Sequence, residues 1–215
     1  MQRLRIRFCR GQEVKFISHL DIMRLWQRAL NRAEIPLAYS EGFSPHPKIS
    51  LAAPLAVGIT SEAELMDIVI AKWLSPHSFT ATVSPQLPSG IEILQVFQIP
   101  LNLPSLQSQI RHAEYRVELA AEKGKKDIES DINSLLSMKK LPWEHQRDTG
   151  TRYYDLRGLI DSLHLVDWCD KYCTVEMRLR CDNGGSGRPE QVAAALGFKQ
   201  YPQSICRTRL ILKTS

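Results

Sequence analysis

The sequence predicts an α+β protein built from two tandem ferredoxin-like units, each with the element order βαββαβ and an antiparallel sheet that carries helices on one face. Two observations support this prediction. Alternating polar and apolar runs, typical of half-buried strands, are interleaved with apolar residues at helical spacing, and this order occurs twice along the chain. A segment at residues 100–106 with two prolines separates the two cycles. We therefore expect one unit at residues 1–100, a linker at 101–112 and a second, less regular unit at 113–215.

The first cycle begins with a strand and a helix that both have strong local signals. Residues 3–8 alternate strictly, which directs Leu4, Ile6 and Phe8 towards a core. Ser18 can cap a helix with Asp21 at its third position, and Pro36 stops that helix. Its buried stripe is expected to comprise Ile22, Met23, Trp26, Leu30 and Ala33. Its exposed basic ridge is expected to comprise Arg24, Arg28 and Arg32.

The other elements follow from turn and cap residues. In the first cycle we expect extended runs at 37–39 and 48–52, a strand at 66–73, a short helix at 76–83 and a strand at 91–99. In the second cycle we expect a strand at 115–119, a helix at 126–138, an extended stretch at 141–156, a short helix or loop at 159–165, a strand at 172–181, a helix at 190–196 and a strand at 204–212. A glycine-rich loop at 183–187 precedes the last helix.

The composition excludes several classes of protein. The chain is 43% hydrophobic and 24% charged, which is ordinary for a folded soluble domain and unlike a disordered or collagen-like chain. No apolar run approaches the roughly 18 residues of a membrane helix, and the first residues alternate in charge where a signal peptide would be apolar. We therefore expect a cytoplasmic protein that does not engage a membrane.

The positive charge is concentrated at the two ends of the chain. The net charge is +5, and residues 1–50 hold nine basic and four acidic side chains. Outward strand positions are expected for Arg3, Arg5, Arg7, Arg178, Arg180, Arg207 and Arg209. Such a face fits a polyanion, and it equally fits a solvated sheet face neutralised by Glu118 and Glu176. Aromatic residues, which would stack on single-stranded bases, are absent from these outward positions.

The cysteines are predicted to be reduced and structural. There are five, an odd number, in a chain expected to be cytoplasmic. Cys169 and Cys173 have the opening spacing of a radical S-adenosylmethionine (SAM) iron–sulfur loop, but Glu176 occupies the position of the third cysteine. Small buried hydrophobic roles fit best, with zinc ligation by Cys169, Cys173 and His164 as the alternative. No cofactor or metal site is expected.

Several motifs in the first 70 residues resemble a bacterial family of unknown function. They are KFISHLD at 15–21, RALNRA at 28–33, PLAYSEGFSPHPK at 36–48, PLAVG at 54–58 and SEAE at 61–64, with weaker matches at 154–157, 188–190 and 207–208. Members of that family stand beside, or are fused to, cobalamin-binding radical SAM proteins. Some lie near genes for ribonuclease and ribosomal proteins. The resemblance therefore implies a cobalamin-binding radical SAM partner and an RNA context. Gly158 stands where the family usually has proline.

Two groups of residues are candidates for a binding site. A helix start attracts anions, so His19 and Asp21 could meet His46 and Lys48 of the stiff 42–48 loop and bind an anionic ligand or RNA phosphate. Asp155 and Arg157 could form a buried architectural pair. The full candidate set for ligand or RNA binding is His19, Asp21, Arg24, Arg28, Gly42, Phe43, Pro45, His46, Lys48, Asp155, Arg157 and Arg207.

Three functions remain open at this point. The first is an accessory RNA- or anion-binding module that works with a cobalamin-binding radical SAM enzyme. The second is an RNA-modifying or RNA-processing enzyme: Asp21 or Asp155 would serve a pseudouridine-synthase-like reaction, and His19 or His46 an endoribonuclease-like one. The third is a protein–protein adaptor. Nucleotide-binding glycine fingerprints and zinc-protease motifs are absent from the sequence.

Overall fold

A computed structural model describes residues 1–147 and 150–213 of the chain. The fold is mixed α+β, with five α-helices in the described residues and a sheet that is mostly antiparallel. Two compact units are present, one formed by Met1–Ile110 with the chain end from Leu212, and the other by Arg111–Ile211. No helix in the described part of the chain is long and apolar enough to cross a membrane.

The first unit contains four strands and three helices. The strands are β1 (Gln2–Arg10), β2 (Ile49–Leu51), β3 (Thr60–Ile70) and β4 (Ile91–Ile99), and the helices are α1 (His19–Arg32), α2 (Pro76–Val83) and α3 (Leu106–Gln109). β1 lies between β3 and β4 and is antiparallel to both, and β2 pairs with β3. The predicted strand at 66–73 therefore begins earlier, at Thr60, and ends at Ile70.

Helix α1 forms as the local signals predict. The Ser18 hydroxyl accepts a hydrogen bond from the backbone N–H of Asp21, which satisfies a donor that the helix itself leaves open. The predicted stripe packs into the core, where Phe8 and Trp26 meet edge-to-face at 4.9 Å between ring centroids. Arg24, Arg28 and Arg32 are exposed. The prediction of a basic ridge on α1 is confirmed.

The opposite face of β1 is buried at Arg3 and Arg5, contrary to expectation, whereas Arg7 on the same face is exposed. Arg3 and Arg5 are each only 8% exposed, and both bind the carboxylate of Asp67, with shortest N···O distances of 2.7 Å. Arg3 also donates to the carbonyl oxygens of Leu103 and Pro104. The expectation that these arginines form a free sheet face is wrong, because residues 103–109 cover them and a buried guanidinium requires an acceptor for each donor.

The described residues of the second unit form seven strands and two helices. The strands are β5 (Ile110–Ala120), β6 (Pro142–Arg147), β7 (Gly150–Asp155), β8 (Ile160–Trp168), β9 (Tyr172–Asp182), β10 (Gly185–Ser186) and β11 (Ser204–Leu212), and the helices are α4 (Lys125–Ser137) and α5 (Pro189–Ala195). β9 pairs with β5, β8 and β10, while β11 neighbours β5. β6 and β7 form a separate antiparallel hairpin. The buried alternate residues of β5 and β9 pack as expected for strands of this unit.

Strand β8 corrects the expectation of a short helix or loop at 159–165. It pairs along most of its length with β9, but the pairing register shifts twice, between Ile160 and Ser162 and again between Leu165 and Asp167. Each shift displaces the side chains by one position and breaks the two-residue alternation that identifies a strand in sequence. The extended stretch expected at 141–156 is hairpin β6–β7.

Candidate functional site

The first candidate region is the N-terminal cap of α1, in which the polar side chains bond to one another. The Ser18 hydroxyl donates to a carboxylate oxygen of Asp21 at 2.8 Å, and Arg24 pairs with the other oxygen at 3.1 Å. The hydrogen bond from Ser18 and then the one from Arg24 lower the pKa of Asp21, so this carboxylate is anionic at neutral pH. His19 is half-buried beside it. The Asp21 carboxylate therefore already has partners for its charge.

The second candidate region, the loop at 39–48, is held by its own backbone. The N–H of Ser40 donates to the carbonyl oxygen of His46 at 2.8 Å, and the N–H of His46 donates to the Ser40 hydroxyl at 3.0 Å. Gly42 adopts a φ of +125°, a conformation that favours glycine. Gly42, Phe43, Pro45, His46 and Lys48 are all exposed. A joint site of this loop with His19 and Asp21 stays a prediction.

Asp155 and Arg157 organise the backbone around a turn. A carboxylate oxygen of Asp155 accepts the backbone N–H of Leu141 at 2.8 Å and that of Arg157 at 3.1 Å. The Arg157 guanidinium donates to the carbonyl oxygens of Leu136 and Ile160, at 2.9 and 2.7 Å in the shortest bonds. The expectation of a buried pair is wrong, because Asp155 is exposed and both side chains form these hydrogen bonds with main-chain groups.

The expected arginine face is largely occupied in this unit as well. Arg207, a predicted ligand-binding residue, is fully buried, so its expected exposure is wrong. Arg178 binds Glu114 at 2.7 Å and lies 3.6 Å from Asp161. Arg209 is exposed. Of these arginines, Arg178 therefore has carboxylate partners on the adjacent strands β5 and β8, and Arg207 is buried, whereas Arg209 stays exposed.

A cleft of about 290 Å³ in the second unit gathers cationic side chains that the sequence prediction did not bring together. Hairpin β6–β7 forms one side of it, and the end of β9 with the glycine-rich loop forms the other. We call it the cationic cleft. Its lining comprises His145, Arg152, Tyr154, Asp155, Gly158, Leu159, Arg180, Gly184, Gly185, Ser186 and Arg188.

The hairpin presents its side of the cleft through strand register. His145 pairs with Arg152 and Trp143 with Tyr154, so these four side chains share one face of the two strands. The Arg152 guanidinium lies 5.8 Å from the centre of the Tyr154 ring, within cation–π range. The Tyr154 hydroxyl donates to Oε1 of Gln191, and burial raises the pKa of this tyrosine, which keeps the hydroxyl protonated at neutral pH.

The glycine-rich loop fixes Arg180 on the other side. Nε of Arg180 binds both carboxylate oxygens of Asp182, at 2.9 and 3.0 Å, and Asp182 also accepts the N–H of Gly184 at 2.7 Å. Burial alone would raise the pKa of Asp182, but the hydrogen bonds from Arg180 and from the loop backbone lower it. A Cβ at Gly184 would overlap Nη2 of Arg180, so glycine leaves the space in which the guanidinium lies.

The arginines of the cleft differ in how closely carboxylates approach them. Arg180 is bound to Asp182, which lies beside the cleft, and Asp155 is a carboxylate of the lining itself. Arg188 is exposed and lies 3.9 Å from Glu190, too far for a hydrogen bond, so its guanidinium can reach an anion. Arginine donors together with glycine backbone suit phosphate oxygens, which accept several hydrogen bonds at once.

The alternative of a zinc site is disfavoured by the state of its ligands. Cys173 is fully buried, and burial raises its pKa to about 11, whereas zinc binds the thiolate. No group of three or more His, Cys, Asp or Glu side chains within 1–147 and 150–213 could hold a metal ion.

Among the residues that line the cleft, the sequence placed Asp155 in the candidate set and Arg180 among the outward arginines, but it did not predict that the lining residues meet. Two signals were present. Aromatic residues and arginines lie on both sides of residue 148, and an arginine precedes Pro189 at the end of a glycine-rich loop. Neither signal carries a period that says which side chains meet, because β7 and the end of β9 are about 25 residues apart in the chain.

A family model described as "Uncharacterized protein conserved in bacteria (DUF2344)" matches residues 3–189. No curated protein matches the chain.

Three solved structures align with the chain at very low sequence identity, and the first of them shares its fold. A crystal structure of a Cbf5–Nop10–Gar1 complex aligns with a TM-score of 0.54 at 10% identity, over 97% of this chain and 48% of that one. An H/ACA ribonucleoprotein bound to a substrate RNA containing 2'-deoxyuridine has a TM-score of 0.48 at 11% identity, covering 97% and 47%. An archaeal box H/ACA Nop10–Cbf5 complex has a TM-score of 0.48 at 12% identity, with the same coverage. The chain spans about half the length of these chains.

Proposed function

The chain belongs to the bacterial family DUF2344, and for this member we propose that the cationic cleft binds the phosphate groups of RNA. The observation that supports the proposal is the convergence of Arg152, Arg180 and Arg188 on a cleft of about 290 Å³. The chain as a whole is basic, with a net charge of +5. An RNA context is also what the motifs of the first 70 residues imply by resemblance.

RNA is favoured over a small anion because the positive charge is distributed. Arg152 lies on the hairpin, Arg180 on β9 and Arg188 ahead of α5, so three separate elements contribute to the cleft. A single small anion needs one tight cluster of donors, whereas a chain of phosphates is held by donors placed along a path. The exposure of Arg188 leaves the cleft accessible to a long ligand.

The proposal predicts that Arg152→Gln and Arg188→Gln each weaken RNA binding about tenfold, because each removes charge-assisted hydrogen bonds to phosphate. The measurement is a fluorescence anisotropy titration with a labelled RNA of mixed sequence at fixed salt. Arg209→Gln is the matched control, since it removes an equal charge from an exposed arginine that does not line the cleft.

If all three variants lose the same affinity for RNA, the binding depends on net charge, which contradicts the proposal that the cationic cleft binds the phosphates. A wild-type protein that binds RNA no better than an acidic protein of similar size would overturn the proposal itself.

We also infer that each unit is ferredoxin-like, with hairpin β6–β7 as an addition. In the first unit, the order β1-α1-β2-β3-α2-β4 with sheet neighbours β2-β3-β1-β4 supports this inference. In the second unit, removal of β6, β7 and β10 leaves the same order and the same adjacency, β8-β9-β5-β11. The cleft is then built by the parts of the second unit that depart from the common pattern, where function often resides.

A partnership with a cobalamin-binding radical SAM protein is a further part of the proposal. It rests on the motif resemblance alone. Co-expression with such a protein from the same bacterium, followed by size-exclusion chromatography, tests it. Co-elution of the two proteins is the expected result, and separate elution at micromolar concentrations contradicts the partnership while leaving RNA binding intact.

An RNA-modifying activity is the second candidate function, favoured by one observation. Asp155 is a carboxylate within a cleft of arginines, which is the environment expected for a catalytic aspartate acting on RNA. Incubation with total bacterial RNA and mass spectrometry of the nucleosides, with derivatisation for isomers of equal mass, tests this candidate. A product formed by the wild type and absent with Asp155→Asn supports it. Binding without any product favours the accessory module.

A further inference from the structure

An aromatic hollow adjoins the cationic cleft. It has a volume of about 330 Å³ and is lined by Lys140, Pro142, Trp143, Tyr153, Tyr154 and Asp155. This volume falls in the range of about 300–1,000 Å³ that is usual for ligand pockets. Tyr154 and Asp155 line both the hollow and the cleft, so the two spaces are neighbours.

The aromatic side chains of the hollow lie on the two strands of the hairpin and are exposed to different degrees. Trp143 and Tyr154 are directly opposed across β6 and β7, and Trp143 is half-buried. Tyr153 precedes Tyr154 on β7 and is 73% exposed. Alternation along a strand puts Tyr153 on the opposite face from Tyr154, so the hollow is an edge site formed where the two strands enter the hairpin.

Exposed aromatic rings next to arginines form a combination that single-stranded nucleic acid uses. Unpaired bases stack on aromatic rings, and the phosphates beside them bind cations. A duplex keeps its bases stacked on each other and has none to offer such a surface. Lys140 at the rim of the hollow adds a cation beside the rings.

We propose that the aromatic hollow receives an unpaired base of single-stranded RNA whose neighbouring phosphate lies in the cationic cleft. The inference rests on the proposed function of the cleft and adds the class of substrate, single-stranded RNA. Continuity of the two spaces through Tyr154 and Asp155 supports this occupant: a base and its own phosphate are covalently linked and must occupy adjacent sites.

The test compares single-stranded with double-stranded RNA. Anisotropy titrations use a fluorescein-labelled 12-nucleotide strand without self-complementarity and the same strand annealed to its complement. For the wild type, tighter binding of the single strand is expected. Tyr153→Ala and Trp143→Ala should each weaken binding of the single strand at least fivefold, since each removes a ring on which a base stacks, and should leave duplex binding unchanged.

Two further variants separate stacking from other effects. Trp143→Phe keeps an aromatic ring and should restore most of the single-strand affinity. Trp73→Ala removes a 71% exposed tryptophan of the first unit and should have no effect. Thermal melts identify a variant that fails to fold, and if Trp143→Ala does so, the highly exposed Tyr153 decides the question alone.

The outcomes distinguish this inference from the proposed function. Unchanged single-strand binding in Tyr153→Ala, with the expected loss in Arg152→Gln, overturns the aromatic site and leaves the cationic cleft. Equal weakening of single-strand and duplex binding also overturns the stacking role. Failure of the wild type to bind either RNA overturns both proposals.

Discussion

Asp67 neutralises two arginines in the interior of the first unit. Its carboxylate is 3% exposed and accepts four hydrogen bonds, two from Arg3 and two from Arg5. A buried guanidinium without its counterion carries a large desolvation cost. The two arginines on this face of β1 therefore contribute to the fold, and binding functions must be sought elsewhere.

Because Asp67 is the buried counterion of Arg3 and Arg5, we expect Asp67→Asn to lower the free energy of unfolding by about 3–5 kcal/mol, the usual cost of removing one partner from a buried ion pair. Urea unfolding followed by circular dichroism measures it. Arg7→Gln, at an exposed position of the same strand, should change the free energy by less than about 0.5 kcal/mol. A loss below 1 kcal/mol in Asp67→Asn would mean that the arginines find other acceptors.

At the scale of elements, the cleft depends on the glycine-rich loop at 183–187, whose small residues leave space for the long side chain of Arg180. Gly184 lies under the Arg180 guanidinium, and a Cβ at Gly185 would come 2.8 Å from a methyl group of Leu159. The loop therefore sets the position of Arg180 through steric space and, with Asp182, through hydrogen bonds. Hairpin β6–β7 supplies the facing side chains by the pairing of His145 with Arg152.

Gly184→Ala should leave the melting temperature nearly unchanged and weaken RNA binding several-fold. The new methyl group meets the far end of a flexible side chain, so the fold adjusts easily while the guanidinium is displaced. A double-mutant cycle with Arg180→Gln checks the mechanism, because Gly184→Ala should have little further effect once Arg180 is gone. Additive losses would show that Gly184 acts independently of Arg180.

At the scale of the whole molecule, RNA binding depends less on the sign of the net charge than on the positions of the charged side chains. The net charge of +5 alone would fit many proteins. Within the second unit, Arg178 is neutralised by Glu114 and Arg207 is buried. The cleft brings together Arg180, which is bound to Asp182, and the exposed Arg152 and Arg188. Binding should therefore involve few phosphates, held at one place.

The salt dependence of RNA binding checks this conclusion. Each phosphate neutralised on a single strand contributes a slope of about −0.7 to a plot of log K against log salt concentration, so three arginines predict a slope of about −2. Arg152→Gln should reduce the magnitude of that slope by about 0.7. A slope steeper than about −5 would indicate a broad basic surface in place of the cleft.

The α+β class, the interleaving of strands and helices, and most of helix α1 could be predicted from the amino-acid sequence. Caps and apolar stripes depend on residues within a few positions of one another, so they are visible in a linear pattern. Strand β8 was not predicted, because two register shifts interrupt the alternation of its buried and exposed residues.

Which charges remain available depends on the three-dimensional fold. Asp67 lies about 60 residues from Arg3 and Arg5, and Arg152 lies 28 residues from Arg180, so no local period connects either set. Pairing of β1 with β3 buries the first set with its counterion, and the fold of the second unit places Arg152 and Arg180 in the lining of one cleft. The physical reason is that the neutralisation and convergence of charges depend on distances in space, which the alternation of residues along a strand does not report.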